Sequence, residues 1–232
     1  MGESMPSLGA GFLALWNDHE QAGGDYDVWH TREHVAERLG IPGILSGRRY
    51  VDGSGSLSRY FTLYGLQNTA VLESDPYRQL LENPSPWSRQ MRFSMSGFLR
   101  RGCRVLASYG GGVGGFAAVS FFQAEDEQKG KQILKDFRAH PAFTAVHLGL
   151  VDTSVTGVPF SVAGADRFDN RNAILVMEGY QATSLASAAE ELSRELRRGT
   201  VCEMENSLTF YQLAFALDGE ERLAMLPVRS SW

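Results

Sequence analysis

The sequence predicts an α+β chain made of two tandem βαββαβ units, and three observations predict it. Glycine-led strands open at Gly11-Phe12-Leu13-Ala14-Leu15 and again at Gly115-Phe116-Ala117-Ala118-Val119, and internal similarity at such a separation marks a repeated unit. The same order of strand and helix patterns follows each opening. At 232 residues, the chain is long enough for two units that each bury a core.

In the first half, the patterns give a strand over 12–16, a helix over 26–39 ending at Gly40-Ile41-Pro42-Gly43, and a strand over 44–51. A turn at Asp52-Gly53-Ser54-Gly55 leads to a strand over 60–66, helical segments between 69 and 93, and a strand over 98–108. In the second half, a strand over 116–122 precedes a helix over about 128–140 and a strand over 145–151. A loop over 152–170 then connects to a strand over 173–180, a helix over 184–198 and a strand over 208–217. Leu185, Ala189, Leu192 and Leu196 form one apolar stripe on that last helix, with Thr183 or Ser184 to cap it and Gly199 to end it.

A βαββαβ unit with both helices on one face of a four-stranded antiparallel sheet is the ferredoxin-like arrangement. The strands Tyr60-Phe61-Thr62-Leu63-Tyr64 and Ala173-Ile174-Leu175-Val176-Met177 carry large side chains on both faces, so the second sheet face must also be covered. Two units packed sheet to sheet do this within one chain and leave a partly polar cavity between the sheets. The expected boundaries are unit one at 8–109, a glycine-rich linker at 110–115, unit two at 116–220 and a tail at 221–232.

Composition excludes several classes. With 43% hydrophobic and 21% charged residues the chain is ordinary for a globular protein. A net charge of −5 argues against nucleic acid as a partner. The run Arg100-Arg101-Gly102-Cys103-Arg104 reads as one edge of a sheet, or as anion contacts. No apolar run is long enough to span a bilayer, and the N-terminal residues lack the pattern of a signal peptide. Two cysteines, Cys103 and Cys202, without metal-type spacing suit a reducing cytoplasm. A cytoplasmic protein without a membrane partner is the expectation. Exposed edges on each half would allow a homodimer.

Two patterns invite chemistry. Gly110 to Gly115 satisfies G-x-G-x-x-G, but a strand follows where a phosphate-binding loop needs a helix, so the stretch reads as a linker. His30-Thr31-Arg32-Glu33-His34 matches the H-x-x-E-H of inverted zinc peptidases. Such a site needs a third ligand from a paired helix, which the pattern does not supply, so no metal is expected. The plain helical reading makes Val28, Val35 and Leu39 the core stripe, widened by Trp29 and Ala36. It turns His30, Glu33 and Glu37 outward and leaves His34 at the boundary, where an imidazole can act as general acid or base. Phe121, Phe122, Phe210, Tyr211 and Phe215 read as sheet packing, and Met177 and Met204 as gap fillers.

The helix Asp27 to His34, its end Leu39 to Gly43 and the strand Ser46-Gly47-Arg48-Arg49-Tyr50 resemble the dimeric α/β-barrel superfamily, and within it EthD-like proteins. So do the strand Phe61 to Tyr64 and the segment Ser85 to Arg92. The resemblance covers residues 10–108 in detail and the second half by element order. It implies an intramolecular version of the dimeric α/β barrel, with a small-molecule pocket near His34, His30, Arg48, Arg49, Tyr50 and Tyr64. Only the first half keeps the pattern, since the second helix ends at His140-Pro141 without Glu-His.

The implied activity is that of an isomerase, cyclase, lyase or cofactor-independent monooxygenase acting on an oxygenated aromatic or lactone-like metabolite. His34 would move the proton, and Arg48 or Arg49 would hold developing negative charge. A non-catalytic barrel that binds a metabolite or haem is the rival. No cofactor is required by the first reading. His147 is the candidate haem ligand by resemblance to two-repeat members, although a buried, hydrogen-bonded histidine is its commoner meaning.

Overall fold

The computed structural model describes residues 8–19, 24–52, 59–158, 171–200, 208–219 and 221–222. Cys202, Met204, the turn residues Gly53 to Gly55, loop residues 159–170 and most of the expected tail lie outside them.

Eight strands form one closed antiparallel barrel. In chain order they are β1 Gly11–His19, β2 Ile44–Asp52, β3 Tyr60–Leu66, β4 Met95–Gly110, β5 Phe116–Phe122, β6 Ala145–Val151, β7 Ala173–Gly179 and β8 Thr209–Asp218. Around the barrel the order is β1-β3-β2-β8-β5-β7-β6-β4. The first four strands are thus contiguous in the order β4-β1-β3-β2, and the last four in the order β8-β5-β7-β6. The two groups join where β2 pairs with β8 and β4 with β6. The Arg100 to Arg104 run therefore lies on no edge, because β4 is paired on both sides, with β1 and with β6. Closure uses up the edges through which self-association was expected.

Among the described residues, five helices and a 3-10 turn, Thr69–Glu73, cover the outside. Helix α1 is a continuous run of Asp25–Trp29, a π-helical turn His30–His34 and Val35–Arg38. Helices α2 Asp75–Glu82 and α3 Pro86–Phe93 follow β3, α4 Glu127–Phe137 follows β5, and α5 Ala182–Thr200 follows β7. Local chemistry sets their starts. Ser74 and Ser85 accept the amides of Tyr77 and Ser88 ahead of Pro76 and Pro86, and Asp126 accepts that of Lys129. Helix α5 extends beyond the sequence expectation at both ends, because the Gln181 carbonyl already accepts the Leu185 amide and Gly199 continues the helix rather than ending it.

Alternation along the strands sends one set of side chains into the barrel and the other beneath the helices. The interior is shared by both halves. Phe12, Trp16 and Phe61 meet Phe121, Ile174, Val176 and Tyr211 there, and the Trp16 ring lies 4.9 Å from Phe61 and 4.7 Å from Phe121. Such aromatic pairs add about 0.5–1.5 kcal/mol beyond their buried area. Outside the second group of strands, Leu134, Leu185, Ala189, Leu192 and Leu196 pack on Leu148, Leu175 and Met177. Outside the first group, Val35, Leu39 and Leu81 pack on Leu13, Tyr64 and Leu66. Gly47 lets α1 approach this closely, since a Cβ there would lie 2.7 Å from Val35 Cγ1.

The Gly111–Gly115 stretch runs from β4 straight into β5, with Gly110 and Gly112 at φ of +89° and +81°. No helix follows it, so it has the wrong neighbour for holding phosphate.

Candidate functional site

The residues singled out in the sequence separate into two places. Arg48 and Tyr50 point into the barrel. Glu178, fully buried, receives an ion pair from Arg48, the Tyr50 hydroxyl at 3.1 Å and the Gly114 amide at 3.0 Å. His147 Nε2 lies 3.4 Å from the same carboxylate, and its Nδ1 is 2.6 Å from Ser108 Oγ. Burial would raise the Glu178 carboxyl, but His147, Arg48 and the Gly114 amide together hold it below its usual range. Burial and the Glu178 charge push the Tyr50 phenol well up. This is a packed, ion-paired cluster that ties β2, β6, β7 and the interhalf segment together.

Haem was the cofactor implied for His147, and the residues present do not fit it. The imidazole is 1% exposed, sits between Ser108 and Glu178, and is surrounded by the barrel core. An axial ligand needs a free ring nitrogen facing a planar cavity.

The second place is a cleft between the outer face of the first sheet group and helices α1, α2 and α3. Its walls are His30, His34 and Arg38 from α1, Leu15 and Thr62 from the sheet, Tyr77 from α2, and Arg92 and Arg100 beside them. The π-helical turn makes this possible. A π turn adds a residue to the helical register and is frequent at functional sites. It carries Trp29 and His30 onto the sheet-facing side before the turn and His34, Val35 and Arg38 after it. Two expectations are corrected by this shift of phase: His30 is 2% exposed rather than on the surface, and Val28 is 51% exposed rather than in the core.

His30 and His34 have ring centroids 4.9 Å apart, and Trp29 covers His34 at 4.5 Å. His30 Nε2 lies 3.4 Å from Thr62 Oγ1. Desolvation, followed by the Arg38 charge, lowers the His30 imidazole to about 3. The same causes, with His30 and Arg92 added, hold His34 well below its usual range. Both rings are neutral at neutral pH. Glu33 does not join them. It accepts Ser85 Oγ at 2.5 Å, Ser88 Oγ at 3.1 Å and Trp29 Nε1 at 3.2 Å, tying α1 to α3. The H-x-x-E-H match is therefore split between two directions, and among the described residues no group of three or more His, Cys, Asp or Glu converges to hold a metal.

Arg49 and Tyr64 are near the cleft without lining it. Arg49 pairs with Asp27, donates to Thr31 Oγ1 at 3.2 Å and lies 5.0 Å over the Tyr60 ring, bracing β2 against α1. Tyr64 is fully buried under α1, and its hydroxyl has no hydrogen-bond partner among the described residues. The sequence reading missed Arg38, Thr62, Tyr77 and Arg92, and it took Arg100 only as part of a sheet edge or as an anion contact. Arg38 carried a signal, since His30, His34 and Arg38 recur every four residues along one helix face.

The cavity volume is about 40 Å³. At roughly 10–15 Å³ per water this holds a few waters or a small polar head group.

Fold and site together define an α/β barrel with a small helix-covered cleft. No protein-family model matches the chain, and no curated protein matches it. Solved structures do share the fold. An anthrone oxidase-like protein superposes with a TM-score of 0.62 at 9% identity, over 91% of this chain and 94% of its own. A monooxygenase-like protein from Fusobacterium nucleatum gives 0.55 at 10% identity, over 90% and 95%. A chlorite dismutase from Candidatus Nitrospira defluvii gives 0.50 at 12% identity, over 93% and 94%. At such identities these neighbours speak for the fold alone. Among the described residues no helix is long and apolar enough to cross a membrane.

Proposed function

We propose that the chain is a tandem of two ferredoxin-like units of EthD-like type, and that its first half is a cofactor-independent proton-transfer enzyme acting on a small oxygenated metabolite. Support for the tandem reading comes from the matching strand orders β4-β1-β3-β2 and β8-β5-β7-β6. The observation that carries the activity is a neutral, buried His34 beside the buried Arg38 in one cleft.

In this reading His34 accepts the proton from a carbon next to a carbonyl, and the guanidinium of Arg38 holds the enolate oxygen that forms. The imidazolium then returns the proton at a second position, so the net reaction is an isomerisation that needs no co-reactant. A neutral imidazole is ready to accept, and the developing oxyanion beside it draws its proton affinity back up. Arg38 takes the role first expected of Arg48 or Arg49, which are engaged with Glu178 and Asp27.

The test is solvent-deuterium exchange, followed by proton NMR, over a panel of small hydroxyaromatic ketones and lactones. Exchange by the wild type that falls at least about 100-fold in His34→Ala is the expected outcome. Exchange that persists in the variant removes His34 from the mechanism.

One observation favours a second reading, a non-catalytic metabolite-binding barrel: His34 Nδ1 has no hydrogen-bond partner among the described residues, so nothing there fixes its tautomer. A ligand that stabilises the protein and is recovered unchanged would select this alternative. A cytoplasmic location is part of the proposal, supported by the buried free Cys103. A homodimer, if formed, would use helical faces, because the barrel edges are closed.

A further inference from the structure

The cleft has an imbalance of charge that neither reading above requires. Arg38, Arg92 and Arg100 line it, together with two neutral histidines, and no carboxylate is among the lining residues. Arg38 is 5% exposed. It makes no ion pair among the described residues, and its Nη1 is buried without a hydrogen-bond partner. Its guanidinium carbon lies 5.6 Å from the centre of the Tyr77 ring, and that of Arg100 lies 5.7 Å from the same ring, so two cations converge on one aromatic wall. Arg100 also reaches the Thr156 carbonyl at 3.0 Å and the Tyr77 hydroxyl at 3.4 Å, while Arg92 donates to the Leu81 carbonyl at 2.9 Å. Those contacts hold the two cations in place beside Tyr77.

The nearest carboxylates are accounted for. Glu33 is tied to Ser85, Ser88 and Trp29. Glu37 is half-buried on the same helix, where burial and Glu33 raise its carboxyl while Arg38 and Arg92 oppose the rise. It influences the arginines through space and does not line the cleft. A guanidinium removed from water without a counter-charge is expensive to keep folded. The same arrangement is what a ligand carboxylate would neutralise, through two parallel N–H···O bonds from a planar fork.

We infer that the cleft is an anion site for the carboxylate of a small organic acid, with Arg38 as the residue that selects it. The inference rests on the cleft named above as the site of proton transfer but does not need His34 to act as a base. The cavity of about 40 Å³ fits a carboxylate head group as it stands.

The experiment compares sodium acetate with acetamide, matched in shape but neutral, at constant ionic strength set with sodium chloride. Binding is read by thermal shift and by amide chemical-shift perturbation of the full chain. Acetate should stabilise the protein and perturb amides in 30–38 and 92–100, and acetamide should not. Arg38→Gln should weaken acetate by about tenfold or more, in line with loss of a charge-assisted hydrogen-bonded pair. Arg38→Lys keeps the charge and guards against a variant that does not fold, and it should retain part of the acetate effect. Equal effects of acetate and acetamide, or acetate binding untouched by Arg38→Gln, would overturn the inference. The two proposals fail separately: acetate binding with no deuterium exchange across the panel sinks proton transfer and supports the anion site. Exchange accompanied by no acetate effect does the reverse.

Discussion

Replacing Glu178 with Gln should be among the most damaging single changes in this chain. The side chain is fully buried and is the common acceptor for Arg48, the Tyr50 hydroxyl and the Gly114 amide. Removing one partner of a buried ion pair costs about 3–5 kcal/mol, because the remaining charge stays uncompensated in a poorly solvating interior. The amide of Gln can still accept one of the neutral donors, so their loss should add little to that figure. For a domain of this size each kcal/mol moves the melting temperature by about 2–4 °C, which gives a fall of roughly 6–20 °C. Differential scanning calorimetry and urea unfolding measure it. A second variant separates charge burial from simple packing: Arg48→Met combined with Glu178→Gln should recover a large part of the loss, because both charges are then absent. A fall of less than about 2 °C in the single variant, or no recovery in the double one, would refute the view that this cluster is a tightly coupled ion pair tying the halves together.

Acid should destabilise the protein well above the carboxylate range. The His30 imidazole is lowered to about 3 in the fold from its ordinary 6.5, so the unfolded chain binds protons first as pH falls below 6.5 and stability drops with it. At about 1.4 kcal/mol per pH unit, a fully desolvated histidine loses about 2 kcal/mol by pH 5, and His34 acts in the same direction. Urea midpoints should decline between pH 6.5 and 5, and the slope should flatten in His30→Asn; a flat profile would contradict the burial of the pair. Glu178, held below its ordinary 4.5, contributes stability that is present above pH 4.5 and lost below it, so its share should vanish in Glu178→Gln. Gly47→Ala should cost about 1–3 kcal/mol by overpacking, since the new Cβ would press on Val35 and Leu39. Val28→Ser should change the unfolding free energy by less than about 0.5 kcal/mol, whereas Leu192→Ala should cost about 2–5 kcal/mol; similar effects of the two in urea unfolding would place Val28 back in the core.

The fold was readable because strand and helix patterns follow local rules. Leu185, Ala189, Leu192 and Leu196 repeat at helical spacing and are all buried in the structure, and Tyr60 to Leu66 carries large side chains on both faces because interior and helix layer both need filling. The site was legible only in part. His34, singled out in the sequence, lines the cleft, but spacing alone could not show that a π-helical turn follows Trp29, and this turn reverses the fates of Val28 and His30. Arg48, Arg49 and Tyr50 are neighbours in sequence, yet alternation along β2 sends Arg48 and Tyr50 into the barrel and Arg49 beneath α1. Arg92 and Arg100 come from segments remote in sequence, and only closure of the helices over the sheet brings them to Arg38.

The central claim is that chemistry belongs to the helix-covered cleft and not to the barrel interior. The most direct measurement compares His34→Phe with Tyr50→Phe in the deuterium-exchange assay, on whichever substrate the wild type enolises. Exchange should be lost in the first variant and should survive within a few-fold in the second. Loss with Tyr50→Phe and survival with His34→Phe would place the active centre at Glu178, inside the barrel, and contradict the account.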